Sequence, residues 1–234
     1  MNQMATQPKG LNPDTYKHIV LGTGMVLADI EELKDGNLTA APTYADIAQL
    51  IVDHHSSEHT LGGFRGGVDF VYGMETERVP VDDDTGNAKG LERITGQPCN
   101  LSGTMVELRE ENIRRVIPTS YVNEVHGGMT ASRVILDSHY LQNLVSITMY
   151  GNGDFCVIRL DNPLQSESTT FSFNEGVDSG TMDFNFSGHT DSTDFAPFYV
   201  WRVPMPDGSA NPQAVAAAKK ALAGGGKFEP TEDK

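Results

Sequence analysis

Apolar and polar positions alternate along much of this chain, in short pieces separated by turns rich in glycine. Val68, Phe70, Tyr72 and Met74 fall on one face, opposite Asp69, Val71, Gly73 and Glu75, which predicts a half-buried strand over 68–77. Cys99 to Leu108 predicts a second strand. It runs into a short helix through Glu110, Glu111, Ile113 and Val116, with the acids at the end where the helix dipole favours them and Pro118 as the stop. Residues 143–150 and 154–160 predict two strands joined by Gly151-Asn152-Gly153, a hairpin signal. Thr169–Phe173 and Thr181–Ser187 repeat the pattern, with Met182, Phe184 and Phe186 on one face, and 17–27 is a short strand interrupted by Gly22 and Gly24.

Between Asp29 and His59 the alternation stops. Tyr44, Ile47, Leu50 and Ile51 fall at helical spacing behind Thr43, a suitable N-cap, so a helix or long loop is expected over 29–60. Residues 1–16 are polar and read as an N-terminal arm, and 207–234 as an Ala-rich helix ended by Gly224-Gly225-Gly226 with a polar tail. The expected architecture is therefore mainly β: a β-sandwich or barrel-like domain over 17–206, of seven or eight strands, with one short internal α-helix, an extended loop and flexible terminal arms.

Composition narrows the function. The 234 residues suffice for one domain with a sizeable core, and 24 glycines and 12 prolines fit many turns. No apolar run approaches the ~20 residues that span a bilayer, and the start lacks a signal-peptide core, so a soluble chain not exported by that route is expected. Cys99 and Cys156 form no Cys-x-x-Cys pair and are expected to be reduced strand residues. A formal net charge of -15 opposes tight binding to phosphate backbones, which needs clustered Lys and Arg. The same charge serves ordinary solubility, or a surface past which DNA slides without sticking.

Catalytic signals are sparse. His55-Ser56-Ser57-Glu58-His59 matches the His-x-x-Glu-His pattern of inverted zinc peptidases, in which two histidines one helical turn apart bind the metal and the glutamate activates its water. The paired serines are mediocre helix formers and Thr60-Leu61-Gly62-Gly63 ends any helix at once, so a polar loop is the preferred reading and a zinc hydrolase the alternative. Gly22-x-Gly24 lacks the third glycine of a dinucleotide site, and Asp82-Asp83-Asp84 lacks the spacing of a calcium loop. No cofactor, catalytic residue or metal ligand is expected.

The block from Gly66 to Ile117 carries a different kind of signal. Gly66-Gly67-Val68 opens a strand and Glu75 follows it. An acidic stretch ends in Thr85-Gly86, then Gly103-Thr104 and Glu107 lead to Asn112-Ile113. In that order these residues resemble the major tail protein, or tail tube protein, of long-tailed bacteriophages. Ser57-Glu58-His59-Thr60-Leu61 is similar to the approach that precedes the block in that family.

The resemblance implies a β-sandwich-like subunit of the virion that forms hexameric rings, stacked into the tube through which double-stranded DNA passes. It implies assembly in the host cytoplasm, with tape measure, tail terminator and tail tip proteins as partners. A lumen for hydrated duplex DNA, roughly 35–40 Å wide, takes on the order of 24 strands spaced ~4.8 Å and tilted ~40°. One chain of this size cannot close such a wall, whereas several copies sharing a sheet can. Asp69, Glu75 and Glu77, at one parity of the 68–77 strand, are the candidate lumen-facing acids, and Leu160 to Trp201 adds seven acids with no Lys or Arg. The segment 29–60 is the candidate bridge to an adjacent ring. A tail terminator or head-tail connector is the alternative within the same class.

Overall fold

The computed structural model describes residues 19–34, 41–79, 89–125, 127–173, 180–190 and 197–206, without the side chains of 21–23. The expected terminal arm 1–16, the Ala-rich segment 207–234, and Asp82, Asp83, Asp84, Thr85 and Gly86 lie outside the described residues. In chain order the elements are β1 (Val20–Ala28), α1 (Tyr44–His54), β2 (Phe64–Tyr72), β3 (Glu75–Arg78), β4 (Glu92–Gly96), β5 (Cys99–Met105) and α2 (Glu110–Val116). They continue with β6 (Ser120–Val122), β7 (Met129–Ala131), β8 (Asn143–Tyr150), β9 (Phe155–Asp161), β10 (Leu164–Gln165), β11 (Phe171–Ser172), β12 (Thr181–Ser187) and β13 (Phe198–Val203).

Nine of these strands build two antiparallel sheets. The first has the order β1-β8-β9-β13; the second runs β10-β12-β5-β2, with β11 on the same edge of β12 as β10. The strands of the first sheet carry apolar residues on both faces, and the sheet is covered on both. Val26, Ala28, Leu144 and Leu160 meet Leu101, Met105, Met182, Phe184 and Phe186 of the second sheet in one core. From the opposite face, Leu27, Val145, Ile147, Phe155 and Val157 pack against Tyr44, Ile47, Leu50 and Ile51 of α1. Each large apolar side chain so buried contributes roughly 1.5–3 kcal/mol, which outweighs the modest helix propensity of an 11-residue segment.

Thr43 starts α1 as its spacing predicts. Its side chain accepts from the Asp46 N–H at 3.3 Å while the Asp46 carboxylate accepts from the Thr43 N–H at 2.9 Å, a reciprocal cap. Gly24 has a packing role. A Cβ there would collide with Thr148 and the Ile147 carbonyl of β8, so only glycine lets β1 lie this close at its irregularity between Leu21 and Met25. The 3-10 turn Glu31–Leu33 is tied to the first sheet by Arg159, whose Nη1 donates to the Leu33 carbonyl at 2.7 Å and Nη2 to Asp161 at 2.9 Å.

Several expectations change. The described residues hold two α-helices, the first falling in the segment that the sequence leaves as helix or loop. The described residues hold thirteen strand segments instead of seven or eight. The predicted single strand over 68–77 is broken: β2 ends at Tyr72, the Gly73 N–H turns to the Pro98 carbonyl at 2.8 Å, and Glu75 begins a separate two-stranded sheet with β4. Cys99 and Cys156 are free, buried strand residues, as the sequence predicts. Among the described residues no helix is long and apolar enough to cross a membrane.

Candidate assembly surfaces

The residues of the Gly66–Ile117 pattern converge on one corner of the second sheet. Gly66 and Gly67, at φ +82° and +94°, form the irregularity that lets β2 bend against β5. Gly103 lies beneath it, where a Cβ would press on the Gly67 carbonyl and Phe184 at 3.0 Å each, and Val68 packs against the core between the sheets. Thr104 Oγ1 donates to Asp183 Oδ1 at 2.8 Å. Glu107 accepts from the Gly63 N–H at 3.2 Å and pairs with Arg109 at 2.9 Å.

The start of α2 then grips the segment that enters β2. Asn112, 1% exposed, donates to the Leu61 carbonyl at 3.0 Å; Arg115 donates to the Glu58 carbonyl at 2.9 Å, and Arg109 to that of Thr60 at 3.4 Å. Burial lowers the Arg115 pKa, opposed by the nearby Asp29 and Glu111. Ile113 packs on the core between the sheets. Arg109 and Arg115 carry no periodicity signal, because their partners are backbone carbonyls some fifty residues away in sequence. Glu75 alone of the described pattern residues stands apart, exposed on β3.

His55 and His59 do not share a helix face. The helix ends at His54, where Ser57 Oγ donates to the His54 carbonyl at 3.0 Å and accepts from the His59 N–H at 3.2 Å. His55 Nδ1 contacts the Val52 carbonyl at 2.8 Å, His59 Nδ1 contacts that of Ala28 at 3.0 Å, and Glu58 is exposed. The ring beside His59 is that of His54, edge-on at 5.1 Å. No group of three or more His, Cys, Asp or Glu among the described residues is placed to hold a metal ion, so the zinc hydrolase alternative loses its ligand set.

The outer face of the second sheet is mostly polar, with Val71 of β2 as an exposed apolar residue on it. Register places Asp69, Ser102 and Asn185 in one row, with Arg65, Thr104 and Asp183 on one side of it and Val71, Asn100 and Ser187 on the other. None of these residues joins a core cluster. Ser187 Oγ donates to Asn100 Oδ1 at 2.8 Å and lies 2.6 Å from Ser166 Oγ, linking neighbouring strands by hydroxyl and amide groups. Asp69 is exposed on this face and Asp183 half-buried on it. Glu75 and Glu77 are not: they lie on the β3–β4 hairpin, where Glu77 pairs with Arg93 at 2.6 Å. The shared parity that groups the three acids therefore stops at Tyr72.

No family model and no curated protein matches this sequence. Among solved structures it is similar to a chain in the tail of an empty GTA particle computed with helical refinement and C6 symmetry. The two are 12% identical, the alignment covers 62% of this chain and 85% of that one, and the TM-score is 0.30. A likeness of that size carries no weight for fold or function.

Two more surfaces bear on association. Among the described residues β2 pairs only with β5, so its nine residues form an edge of the second sheet. The β3–β4 and β6–β7 hairpins pair with neither main sheet and contribute no residue to either core cluster, yet they and the segments beside them expose large apolar side chains.

Proposed function

We propose that this chain is a structural subunit of a phage tail tube, assembling into hexameric rings that stack around a lumen for DNA. The observation that carries the reading is the second sheet: four strands wide, mostly polar and outside the core on one face, with β2 at one edge and the short β10 and β11 at the other among the described residues. Six such sheets side by side supply 24 strands. At ~4.8 Å spacing and ~40° tilt these make a backbone circle about 48 Å across, or about 38 Å clear once side chains are allowed for. That width admits hydrated duplex DNA. The first sheet is covered by a core on each face, apart from exposed Val200 and Arg202 on its edge strand β13.

The order of Gly66, Gly67, Val68, Gly103, Thr104, Glu107, Asn112 and Ile113 supports the same reading through the family resemblance. Asp69 remains a lumen candidate, joined by Asp183 on the same face. Open sheet edges are costly to leave exposed and are paired in the ring, head to tail, since the two edges differ.

Electron microscopy of the purified full-length chain tests the proposal. Long tubes with six subunits per ring and a lumen near the width above are expected. Isolated rings that never stack would instead fit a tail terminator, and a chain that stays monomeric at high concentration would remove the assembly reading altogether.

A further inference from the structure

The chain passes from the first sheet to the second through residues 57–63, a strap held from both sides. On one side it lies along β1: the Ala28 N–H donates to the His59 carbonyl at 2.8 Å, and the Leu61 N–H to that of Val26 at 2.9 Å. On the other, where a further strand could pair, Arg115, Arg109 and Asn112 donate to the carbonyls of Glu58, Thr60 and Leu61. The strap turns at Gly62, φ +89°, and Gly63 meets β5, its carbonyl accepting from the Val106 N–H at 3.0 Å. Phe64 then begins β2.

Arg115 is the telling member of this clamp. Its side chain is only 12% exposed, although Glu58, whose carbonyl it holds, is an exposed residue that water could serve. Keeping a guanidinium out of water for such a contact is a poor route to stability and a good one to a fixed geometry. A ring makes geometry count. Each copy turns from the next by one angle, and any error in it accumulates around the circle until the ring fails to close. A ring of six and a ring of seven differ by only about 9° per copy.

We propose that Asn112 and Arg115 are positioning residues for assembly: by fixing residues 58–61 against β1 they set the angle at which β2 leaves the body of the subunit, and with it the number of copies that close a ring. This rests on the self-assembly reading above and deepens it. The end of segment 29–60, expected as a bridge to an adjacent ring, then acts within one copy, and α1 in the same segment is committed to the core.

The test uses full-length Arg115→Met, which keeps the apolar stem and gives up the Glu58 carbonyl, with Asn112→Ala as the second variant. Asp154→Asn, which loosens the β8–β9 turn and leaves the strap untouched, controls for lowered stability. In the unassembled chains, amide hydrogen exchange at residues 58–64 should be several-fold faster in both clamp variants and at the parent's rate in the control. In electron micrographs the clamp variants should give rings of mixed copy number or open arcs, or no rings under conditions where the control still forms them. The control should close with the parent's number, because lost stability alone lowers the yield of rings and not the count within one. Parent-like exchange at 58–64, or closed rings of the parent's number from both clamp variants, overturns this inference and keeps the assembly reading. A parent that never forms rings overturns both.

Discussion

Asn143 holds Ile30 by both ends of its side-chain amide: Oδ1 accepts from the Ile30 N–H at 2.9 Å, and Nδ2 donates to the Ile30 carbonyl at 2.8 Å. Both residues are fully buried. The arrangement compensates for a local defect. Asp29 adopts φ 58° and turns the chain out of β1, so the next peptide groups leave the ladder while still inside the protein. An asparagine at the first position of β8 supplies one acceptor and one donor, as a neighbouring strand would.

Replacing Asn143 should therefore cost more than its size suggests. Asn143→Leu keeps the volume and leaves the Ile30 N–H unpaired, while the Ile30 carbonyl keeps only the Leu33 N–H at 3.3 Å; Asn143→Asp keeps an acceptor but loses the donor. An orphaned buried group costs about 1–3 kcal/mol, so both variants should unfold at clearly lower urea concentration, Asn143→Leu through the orphaned Ile30 N–H and Asn143→Asp through a buried charge. Midpoints equal to that of the parent would show that the amide has no such role.

Asp154 predicts a pH dependence. Burial raises its pKa, but the Met205 N–H, Asn152 and Arg202 outweigh burial, and the net shift is downward from 3.8. The geometry agrees: Arg202 Nε donates at 2.8 Å and the Met205 N–H at 3.0 Å, tying the chain after β13 to the β8–β9 turn. A carboxyl whose folded pKa lies below its unfolded one contributes stability that is full above the unfolded value and is lost as pH falls through the folded one. Asp154→Asn should thus melt below the parent at neutral pH, with a gap that narrows as the solution is taken below pH 3.8. A gap unchanged from neutral to strongly acid solution would assign the loss to shape alone.

Much of the frame was legible in the sequence because local and global signals agree there. Gly151-Asn152-Gly153 joins β8 and β9 as its turn chemistry demands, Thr43 caps α1, and Met182, Phe184 and Phe186 reach the core by simple alternation. β13 was not legible. Tyr199, Trp201 and Val203 lie on one face and Phe198 and Val200 on the other, so the strand shows no alternation to read. The break after Tyr72 was hidden for the opposite reason, since the alternation runs on past Gly73 while the backbone leaves the sheet. In the assembly corner, Gly66, Gly103, Glu107 and Asn112 were legible as an ordered pattern. Their contacts were not, because Asn112, Arg109 and Arg115 bind carbonyls of residues 58–61, and backbone acceptors leave no trace in residue type.

The polar face of the second sheet leads to the last prediction. If Asp69 and Asp183 line the lumen, their charge keeps duplex DNA from settling on the wall. Asp69→Lys with Asp183→Lys changes the lining by about 24 charges per ring of six, enough to replace repulsion with counterion-releasing contacts. Tubes of this variant should retain a labelled duplex long enough to span several rings, with retention falling steeply as salt rises, while parent tubes release it. Glu75→Lys with Glu77→Lys adds the same charge on the β3–β4 hairpin and should leave retention as in the parent wherever tubes form. Asp183 accepts from Thr104, so Asp69→Lys alone serves as the milder variant, with a smaller effect in the same direction. Retention that follows the hairpin substitutions and not the sheet substitutions would place the lumen on the hairpin side and overturn the assignment of the second sheet.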